Sequence, residues 1–207
     1  MPISFGSKLA NSFAKYGQLC VGIDPHSALL SQWGLEDDVK GLEKFSNAVL
    51  DSVVSRVGII KPQVSFFERH GSKGFGVLER LAARAAETDL LVIMDAKRGD
   101  IGTTMDAYFD AWLGKNAPFI CDALTVSPYL GFGSLKDTLS GSVERGKGVF
   151  VLAATSNPEG ASVQRATIGG TTLANSIWES LAEINAVTAS GNARFGSFGA
   201  VLGATLN

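Results

Sequence analysis

Asp95, Lys97 and Asp100 stand together in the segment Asp95-Ala96-Lys97-Arg98-Gly99-Asp100, which ends the apolar run Leu90-Leu91-Val92-Ile93-Met94. Along a strand, residues i and i+2 project from one face, so Asp95 and Lys97 share a side while Ala96 takes the other. Gly99 supplies a turn that returns Asp100 toward the same end of the strand. An ordinary strand leaving a sheet uses the same residue types, and an exposed Asp95–Lys97 pair would contribute only about 0–1 kcal/mol. Lys61 makes the stronger case. In Gly58-Ile59-Ile60-Lys61-Pro62-Gln63 it follows two apolar residues and precedes a proline that stops ladder pairing, a place where an ammonium is costly without a partner. With neighbouring strands side by side, the order Lys61, Asp95, Lys97, Asp100 alternates in charge. Lys97 between carboxylates suits an electrostatic clamp and proton donor better than a Schiff-base nucleophile, and Asp95 suits a fixed negative charge. The array fits a reaction in which negative charge leaves one substrate atom and appears on a carbon beside the ammonium. Decarboxylation has this form: a carboxylate placed near Asp95 departs as carbon dioxide, and Lys97 stabilises and then protonates the carbanion. At about 4 Å and an effective dielectric of about 20, each charge–charge term is of order 4 kcal/mol, and no cofactor is called for.

The elements that must position these residues are short. Apolar runs at 19–23, 58–67, 90–94, 123–126, 148–153 and 199–203 read as six strands. Between the first two, Val39, Leu42, Phe45, Val49, Leu50, Val53, Val54 and Val57 repeat at helical spacing, and Phe75, Leu78, Leu81, Ala82 and Ala85 do so before the third. Alternating strands and helices mean parallel βαβ units. Two architectures fit: an open doubly wound sheet, or a (βα)8 TIM barrel with about six of its eight units present. Polar residues at nearly every strand end (Asp24, Lys61, Asp95 and Lys97, Ser127, Thr155 and Ser156) favour the barrel, where all of them face one mouth. No glycine-rich dinucleotide or P-loop fingerprint occurs, which weakens a nucleotide-binding reading.

Composition narrows the class. The 207 residues, 45% hydrophobic and 18% charged, suffice for one α/β domain spanning 1–207. A net charge of -2 leaves no electrostatic footprint for nucleic acid. Residues 1–16 lack a continuous apolar stretch, so neither a signal peptide nor a membrane span is expected, and the cytoplasm is the expected location. Cys20 and Cys121 read as small buried hydrophobes rather than as a disulfide or metal ligands. Only His26 and His70 are present, which excludes a multi-histidine metal site and leaves little room for a Ser-His-Asp triad.

The decapeptide Asp95-Ala96-Lys97-Arg98-Gly99-Asp100-Ile101-Gly102-Thr103-Thr104 resembles the DxKxxDIxxT signature of the orotidine 5'-phosphate decarboxylase family. The likeness extends to Val21-Gly22-Ile23-Asp24-Pro25, Lys61-Pro62-Gln63, Ser127-Pro128-Tyr129-Leu130-Gly131 and Ala154-Thr155-Ser156-Asn157-Pro158-Glu159-Gly160, and is closest to the bacterial branch carrying KPQ and DAKRGDIGTT. The resemblance implies a metal-free conversion of orotidine 5'-phosphate to uridine 5'-phosphate and carbon dioxide in pyrimidine synthesis. It implies a charged tetrad of Lys61, Asp95, Lys97 and Asp100, with Asp100 and Thr104 crossing into the partner's site of a homodimer. Asp24 and Lys61 are implied to contact the ribose, and Ser156 the pyrimidine.

The family binds the substrate phosphate with a glycine-rich loop after the seventh strand and an arginine after the eighth. Here Ala204-Thr205-Leu206-Asn207 comes just past the sixth expected strand, so an incomplete barrel without that phosphate site is expected. Two other readings stay open. One is a metal-dependent sugar-phosphate decarboxylase or aldolase of the same suprafamily, in which a carboxylate usually replaces the lysine at position 61. The other is a truncated, non-catalytic barrel that keeps the charged cluster.

Overall fold

Short β-branched and apolar runs alternate with amphipathic helices in a computed structural model that describes residues 2–189 and 194–204. The strands are β1 Cys20–Ile23, β2 Ile59–Pro62, β3 Leu91–Arg98, β4 Ala123–Val126, β5 Gly148–Ala154, the two-residue β6 Thr167–Ile168 and β7 Thr171–Thr172, and β8 Phe198–Leu202. The helices are α1 Phe5–Tyr16, α2 Ser27–Gln32, α3 Val39–Val53, α4 Ser65–Glu68, α5 Gly71–Ala86, α6 Gly102–Trp112, α7 Lys136–Glu144, α8 Ala161–Gln164 and α9 Leu173–Thr188. Six strands make one sheet in the order β1-β2-β3-β4-β5-β8, every neighbouring pair parallel, and β6 and β7 form a separate antiparallel hairpin.

That order chooses between the two architectures. A doubly wound sheet reverses its strand order at a switch point, whereas here each strand lies beside its predecessor in the sheet, so right-handed crossovers put the connecting helices on one face. The other face curves inward, as in a (βα)8 barrel. Side-chain parity divides the core accordingly. Ile60, Val92, Met94, Leu124, Val149 and Val151 join the large core under the helices, while Ile59, Leu91, Ile93 and Ala123 join a second, smaller core on the inner face.

α1 closes the lower end of that inner core. Its N-cap Ser4 accepts a hydrogen bond from the Ser7 amide, and Phe5, Leu9 and Phe13, one helical turn apart, enter the inner cluster. Phe5 meets Phe150 of β5 edge to face at 5.9 Å, and a Cβ on Gly148 would collide with its ring. No element was expected over 5–16, although this spacing carries the signal.

Three expectations need correction. The second strand does not run from 58 to 67: Pro62 has no amide to continue the ladder, β2 stops there, and the chain turns into α4, burying Phe67. The third strand does not stop at Met94 but continues through Asp95 and Lys97 to Arg98, so those charges sit inside a strand rather than after it. The helix expected over 39–57 ends at Val53, and Ser55 follows at φ 63°.

Because Phe5 is 1% exposed and carries the contact between α1 and the inner face, Phe5→Ala should destabilise the fold by about 3–5 kcal/mol in urea titrations. A loss below about 1 kcal/mol would mean that α1 is not seated there.

Candidate active site

Strand alternation brings the charged residues to one place. Ile59 and Lys61 share the inner face of β2, Leu91, Ile93 and Asp95 that of β3, and Ala123 and Thr125 that of β4. Each polar residue lies at the C-terminal end of its strand, so the inner face is apolar below and charged at the mouth.

Asp95 is the centre of the group and is 7% exposed. Its Oδ1 accepts from the Lys97 ammonium at 2.7 Å and from the Thr125 hydroxyl at 2.8 Å. Its Oδ2 accepts from the Lys61 ammonium at 3.1 Å and from Gln63 Nε2 at 2.9 Å. Two donors on each oxygen occupy the roughly four acceptor positions of a carboxylate. Asp95 therefore has no vacant lone pair with which to take a proton, and acts as a held negative charge. Burial pushes its carboxyl up, but the Lys97 hydrogen bond, the Lys61 charge and the Thr125 hydroxyl outweigh burial and hold it below its ordinary value.

Lys97 reaches Asp95 by a route other than simple alternation. Its backbone stands at φ 50°, the left-handed region that costs a side-chain-bearing residue of order 1–2 kcal/mol, and the pairing of β3 with β4 slips between Met94 and Arg98. Gly99 is needed for close approach rather than for a turn: a Cβ there would lie 2.5 Å from the Ser127 carbonyl. The positive φ lies at Gly102, which opens α6.

The expected residues separate into two groups. Lys61, Asp95 and Lys97 are joined by direct ion pairs. Asp100 is not brought to them within the chain: its Oδ1 accepts from the Ile101 amide at 2.9 Å, and among the described residues it forms no ion pair. Asp24 is half-buried at the end of β1, where Gly22, opposite Lys61, leaves space beside its carboxylate. Thr104 is exposed on α6, and Ser156 is exposed in the loop after β5, against which Gly203 packs. Gln63 and Thr125 are site residues to which the sequence reading gave no role. Both were detectable: Gln63 lies two residues beyond Lys61, and Thr125 is the one polar side chain in the apolar β4.

The surrounding loops are braced. Arg69 grips Asp37 with both terminal nitrogens and reaches Ser27 Oγ at 3.3 Å, tying the loop after β1 to the segment after β2. Arg98 bonds Glu68 at 3.1 Å and lies over the rings of Tyr108 and Trp112, tying the C-terminal half of α6 to α4. Among the described residues, no group of three or more His, Cys, Asp or Glu side chains is arranged to hold a metal ion.

Comparison with known proteins gives a consistent result. The profile of the Orotidine 5'-phosphate decarboxylase / HUMPS family matches residues 17–207. The orotidine 5'-phosphate decarboxylase of Streptomyces coelicolor is 53% identical over 203 residues, covering 98% of this chain and 72% of that protein. A crystal structure of a candidate orotidine 5'-phosphate decarboxylase from Streptomyces avermitilis superposes with a TM-score of 0.95 at 51% identity, over 100% of this chain and 71% of that one. The orotidine 5'-phosphate (OMP) decarboxylase of Leishmania donovani gives 0.77 at 28% identity, over 99% and 72%.

The sign of the Asp95 effect on stability follows from its lowered pKa. The group binds protons more weakly folded than unfolded, so its contribution is complete above the unfolded carboxylate range near 4 and is lost as pH falls through the folded value. The stability gap between the wild type and Asp95→Asn should therefore be largest at about pH 7 and shrink toward about pH 3, measured by denaturant titration at each pH.

Proposed function

The chain belongs to the Orotidine 5'-phosphate decarboxylase / HUMPS family, and we propose that it removes carbon dioxide from orotidine 5'-phosphate with Lys61, Asp95, Lys97 and Asp100 as its charged apparatus. The family activity is that of a cofactor-independent carboxy-lyase in uridine 5'-phosphate synthesis. The observation that carries the residue assignment is the donor-saturated Asp95 carboxylate with the Lys97 ammonium 2.7 Å away.

The substrate carboxylate sits beside Asp95, where two negative charges in a low-dielectric mouth raise the energy of the ground state. Loss of carbon dioxide removes that repulsion. The electron pair left on C6 of the pyrimidine faces the Lys97 ammonium, which stabilises it and then delivers a proton to it. Lys61 balances the second oxygen of Asp95 and, with Asp24, offers contacts to the ribose hydroxyls. Ser156 is assigned to the pyrimidine. Lys61 also weighs against the metal-dependent sugar-phosphate reading, because its ammonium occupies the Asp95 oxygen that a cation would need.

Asp100 and Thr104 are assigned to the partner's site in a homodimer, the whole of 1–207 acting as one domain. Supporting this, Asp100 lacks an ion-pair partner among the described residues, and the mouth loops beside it expose Ile101, Tyr129 and Leu130 at 60%, 80% and 53%. No described helix is long and apolar enough to cross a membrane, and the cytoplasm is the proposed site of action.

In a protein carrying this chain, Lys97→Ala should lower turnover of orotidine 5'-phosphate by about 10³-fold or more, and near-normal turnover would sink the mechanism. Activity should survive exhaustive treatment with a strong chelator, whereas loss restored by a divalent cation would favour the metal-dependent alternative. Mixing inactive Lys97→Ala and Asp100→Ala proteins should restore up to about a quarter of wild-type activity, since half the dimers are mixed and each has one intact site. Absence of recovery on mixing, with subunit exchange verified by mass, would remove Asp100 from the partner's site.

A further inference from the structure

We propose that Thr125 is a positioning residue, holding the Lys97 ammonium in place through a closed ring of hydrogen bonds that joins β3 to β4. The Lys97 amide donates to Thr125 Oγ1 at 3.0 Å, the Thr125 hydroxyl donates to Asp95 Oδ1 at 2.8 Å, and the Lys97 ammonium donates to that same Oδ1 at 2.7 Å. Both ends of one lysine, main chain and side chain, are thus tied to a single carboxylate oxygen, with the hydroxyl as the link. Its polarity is fixed: an amide only donates and a carboxylate only accepts, so the hydroxyl proton has one direction to point.

The ring answers a need created by the backbone. Where β3 slips against β4 between Met94 and Arg98, Lys97 turns to φ 50° and its amide leaves the regular ladder. A main-chain donor in a half-buried mouth requires another acceptor, and Thr125, 3% exposed and on the inner face of β4, provides it. The hydroxyl therefore replaces a ladder carbonyl and keeps Lys97 in a conformation that an ordinary strand residue abandons. Thr125 also contributes to the lowered proton affinity of Asp95. With no role at the reacting atoms, it acts through its two neighbours. The catalytic half of this inference rests on the decarboxylase reading above, while the ring itself does not.

The test compares Thr125→Val, which keeps the shape and removes the hydroxyl, with Thr125→Ser, which keeps the hydroxyl and removes the methyl. Three readouts apply: titration of the Asp95 carboxyl followed by carbon-13 NMR, hydrogen exchange of the Lys97 amide, and kcat and KM for orotidine 5'-phosphate. For Thr125→Val the Asp95 midpoint should rise, Lys97 exchange should quicken about tenfold or more, and kcat should fall about 10- to 100-fold with KM within about threefold. Thr125→Ser should recover all three, and its NMR readouts stand alone where the valine protein does not fold. An unchanged Asp95 titration and Lys97 exchange in Thr125→Val, or a serine protein that behaves like the valine one, would overturn the proposal. Unchanged kcat with both NMR shifts present would overturn its catalytic half. A wild type without decarboxylase activity would overturn the functional reading and that half with it, while the two NMR measurements still decide the ring.

Discussion

One buried carboxylate organises the mouth of this sheet. Asp95 is accepted into the fold only because four donors meet it: Lys61 and Gln63 from the end of β2, Lys97 from β3 itself and Thr125 from β4. A carboxylate this deeply placed and without such partners would be protonated or would pull the strand end open. With them it ties three consecutive strands together at their C-terminal ends, beside the main-chain hydrogen bonds from Val64 to Asp95 and from Ser127 to Arg98. The same arrangement leaves a negative and a positive charge 2.7 Å apart at the C-terminal mouth of the sheet. The stabilising contact and the proposed reactive geometry are therefore one structure.

The sheet supplies the rigidity that such an arrangement needs. Parallel strands in sequential order place the crossover helices outside, so the inner core consists of strand side chains and the α1 residues that plug it from below. Apolar residues fill that face as far as Ile93 and Ala123, and the next inner positions are Asp95 and Thr125. Packing below fixes the side chains above.

Much of this was legible in the chain. The strand at 123–126 has its expected bounds, those at 19–23, 148–153 and 199–203 agree within one residue at each end, and the alternating charges of Lys61, Asp95 and Lys97 do lie together. Local physics explains that success: an apolar run fixes a strand, and a period of two fixes its faces. Where interpretation failed, a non-local contact had intervened. The second strand was extended through Phe67 because Val64 and Phe67 are apolar, yet they are buried on the helix side after Pro62 has ended the ladder. The role given to Gly99 was a turn, yet what excludes a side chain there is the Ser127 carbonyl from another strand.

The sequence by itself determined which residues carry charge, which faces Lys61 and Asp95 take along their strands, and, through the alternation of Lys61, Asp95 and Lys97, the kind of chemistry they suit. These properties are set within a few residues by side-chain type and backbone period. Only the tertiary structure decided that Lys97 meets Asp95 from a left-handed backbone, that Gln63 and Thr125 complete the carboxylate's shell, and that Asp100 stays apart from the group within its own chain. Each of those depends on the register between strands, which is fixed by packing across the sheet and by the slip between β3 and β4, and which no single strand encodes.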